Sequence, residues 1–224
     1  MVGMDGLPRF DALAGEADPP LDVLMLALAA EFRAVDGERA LATLDALGVE
    51  LEHAAARTDA TPHARVRAVA DLLGGVHGFA GDSERYDHPD NSMLDIVLVR
   101  RRGLPILLSV VYVEVARRAG IELAGVGLPG HFVVAHLGRS ATILLDPFAG
   151  GGPVERTVPA PLVRRWTAPE IAMRVLNNLV VSFRRRGDVG GAIRAASMRL
   201  ALPAEEQRRE ELEHELRVLQ AKLN

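Results

Sequence analysis

Apolar residues recur with helical spacing over the first third of the chain. The segment LDVLMLALAAEF follows two prolines, which suit the first turn of a helix, and residues 37–56 carry leucines three and four positions apart. A third helix is predicted after Thr61, a good N-cap, and the glycine-rich stretch Gly74–Gly78 ends it. The polar residues 1–18 are predicted to be a loose leader. These helices carry no clustered chemistry and indicate a scaffold.

The segment from Pro105 to Gly120 is apolar around nearly its whole circumference. Proline suits the first position of a helix, and glycine suits its end. Between residues 106 and 115 only Ser109 and Glu114 interrupt the apolar side chains. Because a helix that is apolar on all sides is a buried helix, we expect this element to be the central helix of its domain.

Three short segments with strand character follow the central helix: ELAGVG, HFVVAHL and ATILLD. Between the last two, the dipeptide Gly138–Arg139 suits a two-residue type II′ turn, which would pair Leu137 with Ser140. Equal steps outward from this turn place His131 directly opposite Asp146, with Cβ atoms roughly 5 Å apart. The sequence therefore predicts a hairpin in which an imidazole meets a carboxylate, and this prediction depends on the register.

Helical patterns resume after a loop rich in glycine and proline. Ala168–Arg185 and Asp188–Leu202 are predicted to form an antiparallel pair joined at Gly187. The last stretch, from Pro203 to Asn224, has a stripe of leucines and charged residues on its other faces. It is predicted to be an amphipathic helix that packs on the preceding pair.

Composition narrows the classes of function. The 224 residues have a formal net charge of -4, with 49% hydrophobic and 25% charged residues, which is typical of a soluble globular protein. The mild acidity and the 4% aromatic content argue against nucleic-acid binding. There is no signal-peptide pattern and no run of about 18 apolar residues, so a cytoplasmic protein without a membrane span is expected.

The chain contains no cysteine. Disulfides, thiolate zinc sites and thiol nucleophiles are therefore excluded. A metal site made of His131, His136 and Asp146 is not expected, because His136 has the opposite strand parity to His131 and faces away from it. No cofactor is predicted.

The strongest chemical constellation combines the start of the central helix with the hairpin. The positive end of a buried helix favours an anion, and a neighbouring imidazole accepts a proton. Asp146 would hold the ring of His131 in one tautomer. This combination is typical of nucleophilic catalysis.

The order of a helix, a histidine strand and an aspartate strand resembles the transglutaminase-like superfamily. Its members use Cys, His and Asp, with the Cys at the start of the central helix. The segment Gly103-Leu104-Pro105 is similar to their Gly-x-Cys entry, and Arg117–Gly120 is similar to their Arg-x-x-Gly ending. The SirB-like branch of the superfamily, named after regulatory proteins, is a closer resemblance. It is carried by NSMLDIVLVRRRGLPILLSVVYVEVARRAG, GVGLPGHFVV and LLDPFAGGG.

The resemblance implies an α+β fold. A transglutaminase-like (papain-like) core would pack a buried central helix on a small antiparallel sheet, with helices before and after it. We assign residues 1–79 to an N-terminal helical region, residues 80–160 to the core and residues 161–224 to a C-terminal helical region. In the SirB-like branch tetratricopeptide-like helices follow the core, and VLNNLVVSFRRRGDVGGAIRAASMRLAL resembles one such unit.

The resemblance also assigns positions. His131 and Asp146 match the His and Asp of the triad, and Pro105 stands at the nucleophile position. Because proline has no nucleophilic side chain, the covalent step is absent there. Ser109, one turn into the same helix, is an alternative nucleophile, or a structural residue that bonds back to a carbonyl one turn earlier. The His131–Asp146 pair either lines a pocket or only holds the hairpin together.

Three functions remain open at this stage. We favour a non-catalytic, regulatory module of a bacterial protein, which binds a peptide or protein segment near His131. The first alternative is a hydrolase or acyltransferase that uses His131 as a general base on water or on Ser109. The second is a structural or assembly protein in which the C-terminal amphipathic helix mediates self-association, and the oligomeric state is left open.

Overall fold

The described residues form nine α-helices and six short strands. The structure is a computed structural model, and it describes residues 6–138, 142–154 and 158–221. The helices are α1 (Phe10–Ala14), α2 (Leu21–Ala30), α3 (Gly37–Ala55), α4 (Pro62–Ala70), α5 (Leu94–Arg100), α6 (Pro105–Arg118), α7 (Ala168–Arg185), α8 (Val189–Met198) and α9 (Glu206–Gln220). The strands are β1 (Ala80–Gly81), β2 (Arg102–Gly103), β3 (Ala124–Leu128), β4 (His131–Leu137), β5 (Thr142–Asp146) and β6 (Gly152–Pro153). The expected α+β class is confirmed.

A four-stranded antiparallel sheet and the helix α6 form the centre of the fold. The sheet has the strand order β3-β4-β5-β6, and β1 pairs separately with β2 in parallel. Helix α6 contacts α3, α5, β3 and β4. From Pro105 to Ala116 every residue of α6 is buried except the half-buried Val113. The prediction of a buried central helix packed on a small sheet is therefore confirmed.

The hairpin of β4 and β5 has a different register from the predicted one. Leu137 lies opposite Thr142, so the predicted pairing of Leu137 with Ser140 is wrong. Residues 138–141 connect the two strands. Of the predicted turn residues Gly138 and Arg139, Arg139 lies outside the described part of the chain, as does Ser140, the predicted partner of Leu137. The longer connection shifts the register by two residues. Because side chains alternate with a period of two, each one keeps its predicted face of the sheet.

The prediction of a loose leader over residues 1–18 is wrong for residues 6–18; residues 1–5 lie outside the described part of the chain. Leu7, Phe10 and Leu13 are buried in the hydrophobic core. Leu7 packs against Gly37, where no side chain is in the way: a Cβ at Gly37 would lie 2.6 Å from Cγ of Leu7. The apolar residues of the segment are too few to show a helical period, and only their packing against later helices identifies them as core.

The glycine-rich stretch ends the third helix, as its residue types predict, but its first two glycines lie inside the helix. Gly78, with a φ of 70°, follows the last helical turn. Helix α4 continues into a π-helical segment, Asp71–Val76, which contains Gly74 and Gly75. A Cβ at Gly74 would lie 1.8 Å from the carbonyl oxygen of Gly150. The missing side chain of Gly74 thus lets this helix touch the loop after β5. Close approach of the two backbones therefore explains why position 74 is a glycine. Widened helical turns of this kind occur often at functional sites.

The C-terminal helices follow the prediction closely. Helix α7 begins with a capping box made by Thr167 and Glu170, and α8 returns against it. Leu212 and Leu219 of α9 are buried, which confirms that the amphipathic helix packs on the preceding pair. Among the described residues, every helix is too short or too polar to span a lipid bilayer. The division into three regions stays a prediction, and buried residues from all three join one hydrophobic cluster.

Candidate functional site

The first residue of β4, His131, lies within hydrogen-bond distance of Asp146 at the end of β5. Its Nε2 is 2.8 Å from Oδ2 of Asp146. A tight turn with Gly130 at a φ of 72° links Leu128 to His131, which pair across β3 and β4. With the observed register the two partners are diagonal neighbours rather than directly opposite ones, so this part of the prediction is wrong. Diagonal neighbours on one face are still within reach of a long side chain.

Backbone groups hold the carboxylate of Asp146 in place. Its Oδ1 accepts hydrogen bonds from the amide of Phe148 at 2.9 Å and from the amide of Ala149 at 3.4 Å. Asp146 is the N-cap of the short 3₁₀ helix Pro147–Ala149. The other oxygen is thereby directed to His131, and the local sequence Asp-Pro-Phe-Ala-Gly positions the acceptor.

The hydrogen bond assigns a tautomer to His131. An ionised carboxylate only accepts hydrogen bonds, so the proton of the neutral ring lies on Nε2. Nδ1 then accepts no hydrogen bond and has no partner among the described residues. The side chain of His131 is 25% exposed. A ligand can therefore reach an imidazole whose orientation is already set.

Two aromatic side chains extend the site away from His131. The ring of Phe148 meets the imidazole edge-on, with centroids 6.4 Å apart, and Tyr86 lies 5.9 Å from Phe148 in the same manner. Gly81 permits this, since a Cβ there would lie 2.3 Å from the ring of Phe148. Tyr86 is 45% exposed. We call His131, Phe148 and Tyr86 the aromatic row.

Sequence reasoning missed Tyr86. It is the only Phe, Tyr or Trp in the polar loop AGDSERYDHPDNS, and this was the available signal. The loop is anchored rather than free: the buried Asn91 donates from Nδ2 to the carbonyl of Arg85 at 2.7 Å. Asp82 accepts from the amide of Arg85 at 3.0 Å and from the guanidinium of Arg100 at 2.8 Å. These bonds hold Tyr86 beside Phe148.

The electrostatics of Asp82 predict how this loop responds to pH. Burial opposes its ionisation, but the hydrogen bonds from the amide of Arg85 and from Arg100 outweigh burial and lower the pKa of Asp82. A carboxyl with a lowered folded-state pKa stabilises the fold above its unfolded-state pKa, and this stabilisation is lost as the pH falls through the folded-state pKa.

We expect Asp82→Asn to lower the free energy of unfolding by about 1–3 kcal/mol at neutral pH, since a buried charge-assisted bond is lost. The difference from wild type should shrink as the pH falls below about 4, where the unfolded carboxyl is protonated. Urea titrations at several pH values measure both quantities. Asp90→Asn is the matched control, because the carboxylate of Asp90 lies 3.9 Å from the same Arg100, too far for a hydrogen bond. Equal losses in the two variants would contradict the prediction.

The other predicted site residues lie along α6. Pro105 is its buried first residue, and Ser109 is fully buried. Oγ of Ser109 has no hydrogen-bond partner, so the predicted bond back to a carbonyl is wrong. The buried hydroxyl of Tyr112 is also unpartnered. Burial, together with the charge of Asp146, raises the pKa of Tyr112, so Tyr112 stays a neutral phenol behind the pair.

The structure separates the two histidines of β4. Nδ1 of His136 lies 3.1 Å from the carbonyl oxygen of Glu122, whereas His131 meets Asp146. In the described part of the chain, no three His, Asp or Glu side chains cluster as metal ligands would.

Sequence comparisons identify relatives in bacteria and in animals. The chain is 46% identical over 91 residues to a UPF0162 protein of Xylella fastidiosa, and this match covers 41% of the chain and 32% of the relative. It is 41% identical over 73 residues to a UPF0162 protein of Pseudomonas aeruginosa, covering 33% of the chain and 26% of that relative. Human F-box only protein 21 is 34% identical over 70 residues, which are 31% of the chain and 11% of that protein.

The chain therefore spans about a third of the length of the first of these relatives. No solved structure gives a significant match. A family model described as the transglutaminase-like superfamily matches residues 38–178, which include α6, His131 and Asp146. This match covers more than half of the chain, and the chain belongs to the transglutaminase-like superfamily.

Proposed function

We propose that the protein is a non-catalytic transglutaminase-like module that binds a peptide or protein segment across the aromatic row. One observation carries the proposal: a half-buried imidazole, 25% exposed, is oriented by Asp146, yet the chain has no cysteine and Pro105 stands at the start of α6. Even without a nucleophile to activate, the His131–Asp146 pair presents a hydrogen-bond acceptor, Nδ1 of His131, at a defined position. The flanking aromatic rings supply the apolar surface on which peptide side chains pack.

The chemistry of the row suits a peptide. Nδ1 of His131 accepts from a peptide amide, while the half-buried Phe148 and the exposed Tyr86 offer two adjacent aromatic surfaces. Tyrosine is enriched among the residues that dominate binding energy at protein interfaces. Because Asn91 and Asp82 anchor the loop that carries Tyr86, little ordering is needed when a ligand binds.

We also propose the finer assignments. The chain would belong to the SirB-like branch and act as a regulatory protein of the bacterial cytoplasm. The antiparallel helices α7 and α8, joined at Gly187 with a φ of 73°, support a tetratricopeptide-like unit after the core. The bacterial UPF0162 relatives support a bacterial family.

A peptide-array screen followed by fluorescence anisotropy tests the binding proposal. We expect His131→Ala to weaken binding of the selected peptides roughly tenfold, or about 1.4 kcal/mol, and Tyr86→Ala to act in the same direction. His136→Ala is the matched control, since His136 lies on the same strand and faces away from the row. His131→Gln preserves a donor to Asp146 and checks that any loss is not caused by unfolding. A screen without any peptide that depends on His131 would contradict the proposal.

The two alternatives have less support. A hydrolase that uses Ser109 needs a reachable hydroxyl, and Ser109 is fully buried. Turnover of ester or amide substrates that disappears in both Ser109→Ala and His131→Ala would favour the enzyme. Self-association through the leucine stripe of α9 needs an exposed stripe, and Leu212 and Leu219 are buried within the chain. A mass that falls to half after truncation at Leu202, measured by light scattering, would favour assembly.

A further inference from the structure

A cavity lies apart from the aromatic row, between the first half of α7 and the segment that joins α8 to α9. Its volume is about 490 Å³, which is within the range of about 300–1,000 Å³ that holds small-molecule ligands. No residue of the aromatic row lines it, and most of its wall is apolar. The cavity is therefore a second candidate site with its own chemistry.

Trp166 forms part of the apolar wall of this cavity. A Cβ at Gly127 would lie 2.1 Å from the indole ring, so the ring packs directly on the backbone of β3. Phe132 meets the indole edge-on, with ring centroids 5.3 Å apart. The half-buried indole is therefore held against the sheet and offers a rigid apolar surface to a ligand. The wall also contains Pro169, Met173 and Pro203.

One positive charge in the wall has no counter-charge among the described residues. The charged side chains that line the cavity are Glu170, Arg174 and Arg208. Both oxygens of Glu170 accept from Arg164, at 2.6 and 3.0 Å, and Arg208 donates to Glu211 at 2.8 Å. The half-buried Arg174 makes neither an ion pair nor a hydrogen bond with its side chain to any described residue. A single unbalanced guanidinium favours a ligand that carries one negative charge.

A second donor, Nδ2 of Asn177, lies on the same face of α7 as Arg174. The two residues are three positions apart in the helix, and this spacing puts their side chains next to each other. Arg199, which is only 2% exposed, donates from Nη1 to Oδ1 of Asn177 at 2.9 Å. Because a guanidinium only donates, the amide oxygen of Asn177 must face Arg199, and Nδ2 is the group left over. Nδ2 donates to no described residue and is not sealed from solvent, so an acceptor in the cavity can reach it.

We propose that this cavity binds a small organic carboxylate, a single negative charge on an apolar body. One carboxylate oxygen accepts from the guanidinium of Arg174 and the other from Nδ2 of Asn177, while the apolar body packs against Trp166. Hydrogen bonds between a guanidinium and a carboxylate are charge-assisted and stronger than neutral ones. Specific pockets of this type combine a mostly apolar wall with a few convergent polar groups. Because the cavity and the aromatic row share no residue, carboxylate binding and peptide binding succeed or fail independently.

Trp166 reports on this site directly, since it is the only tryptophan of the chain. We expect 3-phenylpropanoate to change the tryptophan emission of the full chain saturably, and we expect the neutral analogue 3-phenylpropanamide to have no such effect. Isothermal titration calorimetry then gives the affinity of the carboxylate. Equal responses to the carboxylate and the amide, or no saturable response to the carboxylate, would overturn the proposal.

Two arginine variants separate the unbalanced charge from general attraction. Arg174→Gln should weaken carboxylate binding roughly tenfold or more, because it removes the charge that has no other partner. Arg208→Gln is the matched control in the same wall. It removes a charge that Glu211 already balances, so the affinity should change by less than about threefold. An unchanged affinity in Arg174→Gln, or equal losses in the two variants, would contradict the assignment.

Asn177→Asp tests the second donor, and it decides the matter if Arg174→Gln does not fold. Aspartate keeps an acceptor for the buried Arg199, so the guanidinium retains its partner. It also replaces the amide donor with an oxygen that shares a negative charge and repels a carboxylate. We expect the affinity for 3-phenylpropanoate to fall roughly tenfold or more. A folded Asn177→Asp variant that binds the carboxylate as tightly as wild type would overturn the proposal.

Discussion

Gly74→Ala is expected to destabilise the protein by about 3 kcal/mol, at the upper end of the range for added atoms in a packed region. A Cβ at this position would lie 1.8 Å from the carbonyl oxygen and 2.5 Å from the carbonyl carbon of Gly150. Both of these are backbone atoms, so no side-chain rotation relieves the clash. The π-helical segment and the loop after β5 must move apart.

The displaced loop carries the candidate site. Gly150 follows the 3₁₀ helix that Asp146 caps, and the amide of Gly151 donates to the carbonyl of Asp146 at 2.8 Å. Peptide binding across the aromatic row should therefore weaken in Gly74→Ala even at temperatures where the variant is folded. Urea unfolding and the anisotropy assay measure the two effects on one preparation.

Gly75→Ala is the matched control for this prediction. Gly75 is the next residue of the same π-helical segment, and a Cβ there meets no atom within 4 Å. We expect the free energy of unfolding to change by no more than about 1 kcal/mol, and to rise rather than fall, because alanine stabilises a helical backbone relative to glycine. Similar losses in the two variants would show that glycine flexibility, and not close approach to Gly150, is required.

Arg118→Met is expected to cost about 3–5 kcal/mol, the range for removing one partner of a buried ion pair. The side chain of Arg118 is 13% exposed and donates to Oδ2 of Asp22 at 2.6 Å and to Oε2 of Glu114 at 2.8 Å. Burial opposes its charge, but the hydrogen bonds with Asp45 and Asp22 outweigh burial and raise the pKa of Arg118. Methionine keeps the apolar stem and leaves two buried carboxylates with only the exposed Arg117.

Acid should recover part of this loss. Burial raises the pKa of Glu114 above its usual value, so the folded state takes up a proton before the unfolded state does as the pH falls. The cost of burying that charge then disappears below the folded-state pKa. The difference between Arg118→Met and wild type should therefore be smaller at mildly acidic pH than at neutral pH, and urea titrations at the two pH values test this.

Asp45→Asn is the control for the network. Asp45 accepts from Nε of Arg118 at 2.6 Å, but its side chain is 67% exposed. Exposed ion pairs contribute about 0–1 kcal/mol, so this variant should be close to wild type. A loss in Asp45→Asn as large as that in Arg118→Met would mean that the buried carboxylates are not the reason for the instability.

The site was predictable in part. Strand patterns place His131 and Asp146 on two consecutive strands. The observed register differs from the predicted one by two residues, and a shift of two keeps both side chains on the same face of the sheet. Tyr86 was not predictable in this way. It lies in an irregular loop, and its position beside Phe148 depends on bonds to Asn91 and Asp82 that no periodic pattern encodes.

The helices after α1, the buried α6 and the alternating strands follow from the sequence alone, because hydrophobic periodicity is a local property of the chain. The sequence also excludes a thiol nucleophile through the absence of cysteine. The packing of the elements, in contrast, sets which distant residues meet: Gly74 meets Gly150, and Arg118 meets Asp22. It also places Trp166 and Pro203 in the wall of one cavity. The aromatic row has the same origin, since contacts between residues far apart in the chain depend on how the elements pack. The His131–Asp146 hydrogen bond depends on both sequence and packing. The alternation of side chains along the strands puts the two residues on one face of the sheet, and packing brings Nε2 to Oδ2.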